Sequence, residues 1–217
     1  MEIGSYREFC KFIKVSRETY KNFEIYHKTL CAWQEKMNLV SRISLNHSFY
    51  RHFLDSAQIY KYCYKSKGSI IDFGSGAGFP GLVLALMGVE DIHLVESNKK
   101  KCTFLSDVLT KTQTKAKIHN CRIECLPYLH PSFIISRALA PTKKLLNLCI
   151  NYMLKENLNI SKKDAIRNLP NLLFLKGKNY KIELQNLSFY PKINFEIKDS
   201  ITSDEGKILF YKSKRIL

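Results

Sequence analysis

From Ser16 to Met37 the apolar and aromatic residues Tyr20, Phe23, Ile25, Tyr26, Leu30, Trp33 and Met37 recur at steps of three and four. That spacing predicts one helix with a buried stripe, capped at its start by Ser16 with Thr19 nearby. A short helical pattern precedes it at Tyr6 to Ile13 and another follows from about Ser44 to Tyr64, so the first third of the chain reads as helical. At Ser69 the texture changes. Ser69-Ile-Ile-Asp-Phe-Gly74 is a short apolar run ending in a glycine cluster, which passes into an apolar segment at Leu82 to Met87: strand, turn, helix. The alternation repeats, with strands expected at Asp91 to Glu96, Ala116 to Ile118, Phe133 to Ser136 and Asn171 to Lys176, and helices at Lys99 to Leu109 and Thr142 to Leu154. Strands alternating with helices imply a mostly parallel, doubly wound sheet. Leu187 to Ile197 and Lys207 to Tyr211 read as two further strands joined through Ser203-Asp204-Glu205-Gly206, a closing antiparallel hairpin. The polar stretch Lys155 to Pro170 reads as a loop or a short surface helix.

The expected fold is therefore α/β and Rossmann-like, with a mostly parallel seven-stranded sheet, a C-terminal antiparallel hairpin and an N-terminal helical extension. The extension would occupy residues 1–66 and pack on a core of residues 67–217, the whole forming one compact unit of 217 residues. With 45% hydrophobic residues the chain can bury a core that offsets its conformational entropy, which excludes wholesale disorder. Lysine and arginine outnumber aspartate and glutamate by 35 to 19, a formal charge of +16 that fits a polyanionic partner. Seven cysteines without a repeated spacing read as reduced thiols of a cytoplasmic protein. Cys121 and Cys125 lack the two-residue gap of a zinc or redox motif, so no metal is expected. No basic leader and no apolar run of membrane-spanning length is present, so no membrane association is expected, and we expect a monomer.

The chemistry concentrates in Asp72-Phe73-Gly74-Ser75-Gly76-Ala77-Gly78-Phe79-Pro80-Gly81, placed after a strand and before a helix. Glycines there let the backbone turn sharply and approach a ligand with no Cβ in the way, while a helix N-terminus offers free N–H donors. The next strand ends in Glu96, 22 residues after Gly74, close to the ~20-residue separation at which a carboxylate binds a ribose in nucleotide-binding folds. The glycines at 74, 76 and 78 depart from Gly-x-Gly-x-x-Gly, and Asp72 at the strand end would repel a pyrophosphate. Both features favour S-adenosylmethionine over a dinucleotide, with Asp72 expected to face the cofactor's positive charge.

These motifs, taken with Leu94-Val95-Glu96-Ser97, Lys99-Lys100, Phe104-Leu105, Arg122-Ile123-Glu124, Ser136-Arg137-Ala138 and Leu175-Lys176-Gly177, resemble the RsmG (GidB) family of 16S rRNA guanine-N7 methyltransferases. Upstream, Trp33, Asn38-Leu39 and Arg51-His52-Phe53-Leu54-Asp55-Ser56 match as well, so the resemblance covers roughly Tyr26 to Gly177; Gln34 departs from the family's usual Asn. It implies S-adenosylmethionine-dependent methylation of 16S ribosomal RNA or the small ribosomal subunit, with Gly74, Phe79, Ile123, Glu124 and Arg137 as cofactor contacts. The glycine turn and the strand-end acid add Gly76, Gly78 and Glu96 to the cofactor set.

Guanine N7 carries a lone pair, so no proton must leave before attack and no catalytic base is expected; catalysis comes from alignment and a preorganised polar site. In A-form RNA the N7 edge faces a deep groove, so the target base must be unpaired or flipped out. Residues expected to hold it are His52, Asp55, Arg122, Arg137 and Lys176, with stacking from Phe79; His52 and Asp55, three apart on a helix, share a face. Lys100, Lys101, Arg122, Lys143, Lys144, Lys176 and Lys178 follow strands or begin helices and are expected to form a basic rim for RNA phosphates. Alternatives that keep the cofactor pocket are a methyltransferase acting on another RNA, a protein or a small molecule, and a non-catalytic RNA-binding assembly factor. A nicotinamide oxidoreductase is disfavoured by the glycine spacing.

Overall fold

β1 (Ser69–Phe73) and β2 (Ile92–Val95) are buried along their whole lengths, as continuous apolar runs at the centre of a parallel sheet must be. A computed structural model, which describes residues 3–156, 159–187, 190 and 193–214, places them in a seven-stranded sheet of order β3-β2-β1-β4-β5-β7-β6. The other strands are β3 (Lys117–His119), β4 (Pro131–Arg137), β5 (Asn171–Lys176), β6 (Glu196–Asp199) and β7 (Lys207–Tyr211). β3, β2, β1, β4 and β5 run parallel, and β7 lies antiparallel between β5 and β6. The expected closing hairpin is present, but its first strand starts only at Glu196. Residues 188–189 and 191–192 of the expected strand lie outside the described residues.

The chain leaves β1 towards β2 and β3 on one side and returns through β4 to β5 on the other. The order therefore reverses between β1 and β4, and a crevice opens at their carboxyl ends. Helices cover both faces. α6 (Gly81–Leu86) and α7 (Lys99–Thr112) belong to the first side. α8 (Thr142–Met153), α9 (Lys162–Arg167) and α10 (Tyr180–Gln185) follow on the second. Asn98 caps α7 by accepting from the N–H groups of Lys100 and Lys101, and Gln113 ends it in a left-handed conformation at φ 52°. The Lys155 to Pro170 stretch yields α9, capped by Ser161.

The N-terminal third folds as α1 (Tyr6–Cys10), α2 (Arg17–Gln34), α3 (Arg42–Asn46), α4 (Asp55–Ala57) and α5 (Tyr60–Cys63). The single helix expected from Ser44 to Tyr64 is broken into pieces, because residues Phe49–Leu54 widen into a π-helical turn before α4. Such turns re-aim side chains and recur at functional sites. This one carries Arg51 and His52 towards the end of β4. α2 packs on α6 and α7. Its aromatic stripe joins the sheet in one core: Phe23, Tyr26, Phe53, Phe79, Phe104 and Leu105 are all buried together.

Candidate active site

The turn after β1 is built by three glycines of unusual backbone and a fourth that leaves no room for a side chain. Gly74, Gly76 and Gly78 adopt φ of 71°, 57° and 90°, the left-handed region that excludes most side chains. Gly81 opens α6, and a Cβ there would lie 2.7 Å from Asp72 Oδ2. The Gly81 N–H donates to that same oxygen at 3.0 Å, so Asp72 anchors the far end of the turn from beneath. Asp72 is fully buried and lines neither cavity described below, which corrects the expectation that it faces the cofactor's charge. Burial pushes its carboxyl up to about 7, opposed by hydrogen bonds from Gly81 and Ser75 and by the Arg137 charge. The folded protein thus holds a proton between the ordinary carboxylate range and pH 7 that the unfolded chain releases. The resulting stability is fully present in acid and lost as pH rises through 7. Asp72→Asn, which keeps an acceptor for Gly81, is therefore expected to gain stability relative to the parent between pH 5 and pH 8, by roughly 3 kcal/mol at most. Denaturant melts at several pH values test this, and a difference that does not change with pH refutes it.

A cavity of about 510 Å³ lies over the turn. Gly74, Ser75, Gly76, Ala77 and Phe79 form its floor, Val95 to Ser97 one wall, and Cys121 to Glu124 another. Its size falls within the range of small-molecule sites. Glu96 accepts from the N–H groups of Gly76 (3.0 Å) and Asn98 (2.7 Å), and each of its oxygens keeps a lone pair for a ligand hydroxyl. Ile123 is half-buried beside Glu124 in a short 3₁₀ turn, which Lys155 holds from behind by donating to the Glu124 and Leu126 carbonyls. The structure thus brings Gly74, Gly76, Phe79, Glu96, Ile123, Glu124 and Arg137 to one cavity. Gly78 faces the other way, where a Cβ would lie 2.5 Å from the Tyr26 hydroxyl. That hydroxyl donates to the Ala77 carbonyl, so α2 buttresses the turn from below.

A second cavity, about 660 Å³, adjoins the first and shares with it the wall Arg137-Ala138-Leu139-Ala140. Its lining includes Arg51, His52, Asp55 and Lys207. Arg137, at the end of β4, donates to Asp55 Oδ2 (3.0 Å), to His52 Nδ1 (2.8 Å) and to the Arg51 carbonyl (3.0 Å). The shared helical face expected for His52 and Asp55 is present, and both converge on this guanidinium. Asp55 Oδ1 accepts in turn from Gln58 Nε2 and Thr202 Oγ1, both at 2.8 Å. A guanidinium can only donate, so His52 Nδ1 must be the acceptor and the ring proton sits on Nε2. Burial, reinforced by the Arg137 and Arg51 charges, pushes His52 down to about 3, so the ring is neutral. Its Nε2 has no partner among the described residues.

Three expectations change. Phe79 is buried, with Tyr26 (5.2 Å) and His52 (4.9 Å) stacked on it and the Arg137 guanidinium 5.0 Å from its centroid. It offers no open face for a guanine to stack on. Lys176 lines the second cavity, but its side chain is 7% exposed and tied to Glu183 (2.8 Å), so it offers little free charge to a phosphate. Lys100 is exposed in the first turn of α7 but lines neither cavity; its neighbour Lys101, with Arg122 and Lys144, lines the first. Residues that the sequence analysis assigned to neither cofactor nor RNA also shape the site. Leu39 and Val40 close one side, held by Gln34, which accepts from both of their N–H groups. Gln34 therefore serves the rim of the cavity. Among the described residues no cluster of metal-ligating side chains occurs and no helix is long and apolar enough to cross a membrane.

The family model described as GidB, rRNA small subunit methyltransferase G, matches residues 19–209. The chain belongs to this family. Ribosomal RNA small subunit methyltransferase G of Rhodospirillum rubrum is 40% identical over 146 residues, covering 67% of this chain and 73% of that protein. The protein of the same description from Orientia tsutsugamushi is 34% identical over 198 residues, 91% of this chain and 92% of that one. Among solved structures, the magnesium protoporphyrin IX methyltransferase of Synechocystis, with bound SAM, superposes with a TM-score of 0.59 at 10% identity. The match covers 93% of this chain and 99% of that one. A SAM-dependent methyltransferase from Aquifex aeolicus gives 0.52 at 13% identity, over 73% and 89%. At such identities the two likenesses speak for the fold alone, and the sheet that the GidB-family chain builds is the Rossmann-like one expected.

Proposed function

We propose that this protein transfers a methyl group from S-adenosylmethionine to N7 of a guanine in small-subunit (16S) ribosomal RNA. The observation that carries the reading is the pair of adjoining cavities that share the wall from Arg137 to Ala140. In-line transfer needs a donor site and an acceptor site meeting at one point, and the crevice beyond β1 and β4 supplies both.

The first cavity fits the cofactor. Gly74 and Gly76 present backbone without a Cβ, Glu96 offers lone pairs to ribose hydroxyls, and Ile123 and Glu124 offer an apolar face and a polar edge to a purine. Bound there, S-adenosylmethionine supplies a sulfonium-activated methyl group. In the second cavity the Arg137–Asp55–His52 network stands ready before the base arrives, so little reorganisation accompanies reaction. N7 needs no deprotonation, and His52 is neutral and already occupied at Nδ1, which agrees with a site that has no general base. The base is presented unpaired or flipped, since side chains cannot follow N7 into an A-form groove. Arg122, Lys101 and Lys144 on the first rim and Arg51 on the second are the residues we assign to neighbouring phosphates, with Lys100 further out along α7.

The test is methyl transfer from labelled S-adenosylmethionine to small-subunit RNA and to assembled small subunits, followed by mapping of N7-methylguanine. Label at one guanine is expected. Label that appears on protein, or RNA that stays unlabelled in both forms, overturns the reading.

A further inference from the structure

The wall between the two cavities is the end of β4 and the loop that follows it, residues 137–141, in which Ala138 takes φ 55° without being glycine. Such a conformation persists only where its surroundings impose it. Leu139, next in line, packs so closely over Gly74 that an ideal Cβ there would meet its Cδ1 at 2.5 Å. The loop then turns at Pro141 into α8, whose N-terminus has no side-chain cap of its own. The cap comes from a distant element. Glu183, on α10, accepts with one oxygen from the Thr142 N–H (2.7 Å), from the Thr142 hydroxyl (2.6 Å) and from Lys176 Nζ (2.8 Å). Lys176, at the end of β5, also donates to the Ala140 carbonyl (2.6 Å). Two charges, one from each of two elements, thus hold consecutive carbonyl and amide groups on either side of Pro141. Thr142 is fully buried and the Lys176 side chain nearly so, which places the clamp beneath the loop, with Lys176 and Glu183 on the wall of the second cavity.

We propose that Glu183 and Lys176 are positioning residues for methyl transfer: by clamping Ala140 and Thr142 they fix the loop that separates donor from acceptor and that carries Leu139 over Gly74. The proposal rests on the methyl-transfer reading above. Neither residue lines the first cavity, where the methyl donor is assigned. Their effect passes through the backbone, and misplacing a reacting geometry by about 1 Å costs on the order of 100-fold in rate.

The experiment compares wild type with E183A, E183Q and K176M. It measures kcat and KM on small-subunit RNA, the S-adenosylmethionine dissociation constant by calorimetry, melting temperature, and amide exchange over residues 138–142. E183A and K176M are expected to lower kcat by about 10- to 100-fold, a much larger factor than the change in cofactor dissociation constant, and to speed exchange at 138–142 selectively. E183Q keeps an acceptor for Thr142 but not the charge that holds Lys176, so its kcat should lie between wild type and E183A. If E183A does not fold, E183Q carries the test with the same readouts. A folded variant with wild-type kcat and unchanged exchange at 138–142 overturns the proposal, as does a loss of activity that follows only the fraction unfolded. A wild-type protein that methylates no RNA overturns the functional reading instead. The exchange measurement still decides the clamp in that case.

Discussion

Gly74→Val is expected to weaken S-adenosylmethionine binding at least about 100-fold, roughly 3 kcal/mol, while leaving the fold in place. Two causes add. The backbone at φ 71° is costly for any L residue and worst for a β-branched one, because the Cβ meets the following carbonyl. The new side chain also projects into the cavity floor, 2.5 Å from the Leu139 side chain. Leu139 is 38% exposed and at the flexible end of its side chain, so it can move aside and the protein survives; the space intended for a ligand does not. Gly76→Ala is the informative companion. Its φ is 57°, but the nearest atom to a Cβ there is the Gly74 carbonyl oxygen at 3.8 Å, an ordinary contact. It should bear strain without obstruction and lose much less affinity. Calorimetric titration of both variants, with circular dichroism to establish folding, checks the pair. Wild-type affinity in Gly74→Val removes the pocket assignment.

Arg137→Met is expected to abolish methyl transfer and to cost about 2–4 kcal/mol of stability, since removing one partner of a largely buried ion pair strands the other. The stranded groups are the Asp55 carboxylate, 18% exposed at its side chain, and His52 Nδ1. Asp55→Leu alone should be destabilising for the converse reason, and the double variant should cost less than the sum of the two, as residues in one network do. Arg137 is one of the charges that hold His52 neutral, second to burial, so its loss should let the ring protonate at a higher pH. Imidazole NMR titration reads that change directly. Additive stability losses together with an unmoved His52 would show that the three groups do not act as one unit.

Much of this was legible in the residues because the signals were local. The strand–glycine turn–helix passage and the acid ending the next strand declare themselves by spacing alone, and the buried apolar runs of β1 and β5 end where the texture of the sequence changes. What escaped was set by tertiary contact. Nothing in the sequence marks the π-helical turn at Phe49–Leu54, whose rings pack on the distant helix α2, Phe49 against Tyr20 at 5.5 Å and Phe53 against Phe23 at 5.3 Å. Lys176 looked like a rim lysine because it follows a strand. Its partner Glu183 lies on a six-residue helix with no periodic pattern long enough to announce it. Asp72 was read as facing a ligand since it ends a strand, yet strand alternation alone cannot say whether a carboxylate points into the crevice or under the turn. Phe79 had the composition of a stacking platform, and the rings that cover it come from residues 26 and 52, far away in sequence.

The Tyr26 hydroxyl under the glycine turn bears on how the chain divides. A version cut to begin at Ser69 would keep every strand of the sheet and every residue from the glycines to Arg137. It would lose the phenol that props up Ala77 and the imidazole and carboxylate that grip Arg137. The helical third is a foundation for the crevice as much as a covering for it, and grafting the sheet alone onto another protein is expected to carry over the architecture without the activity.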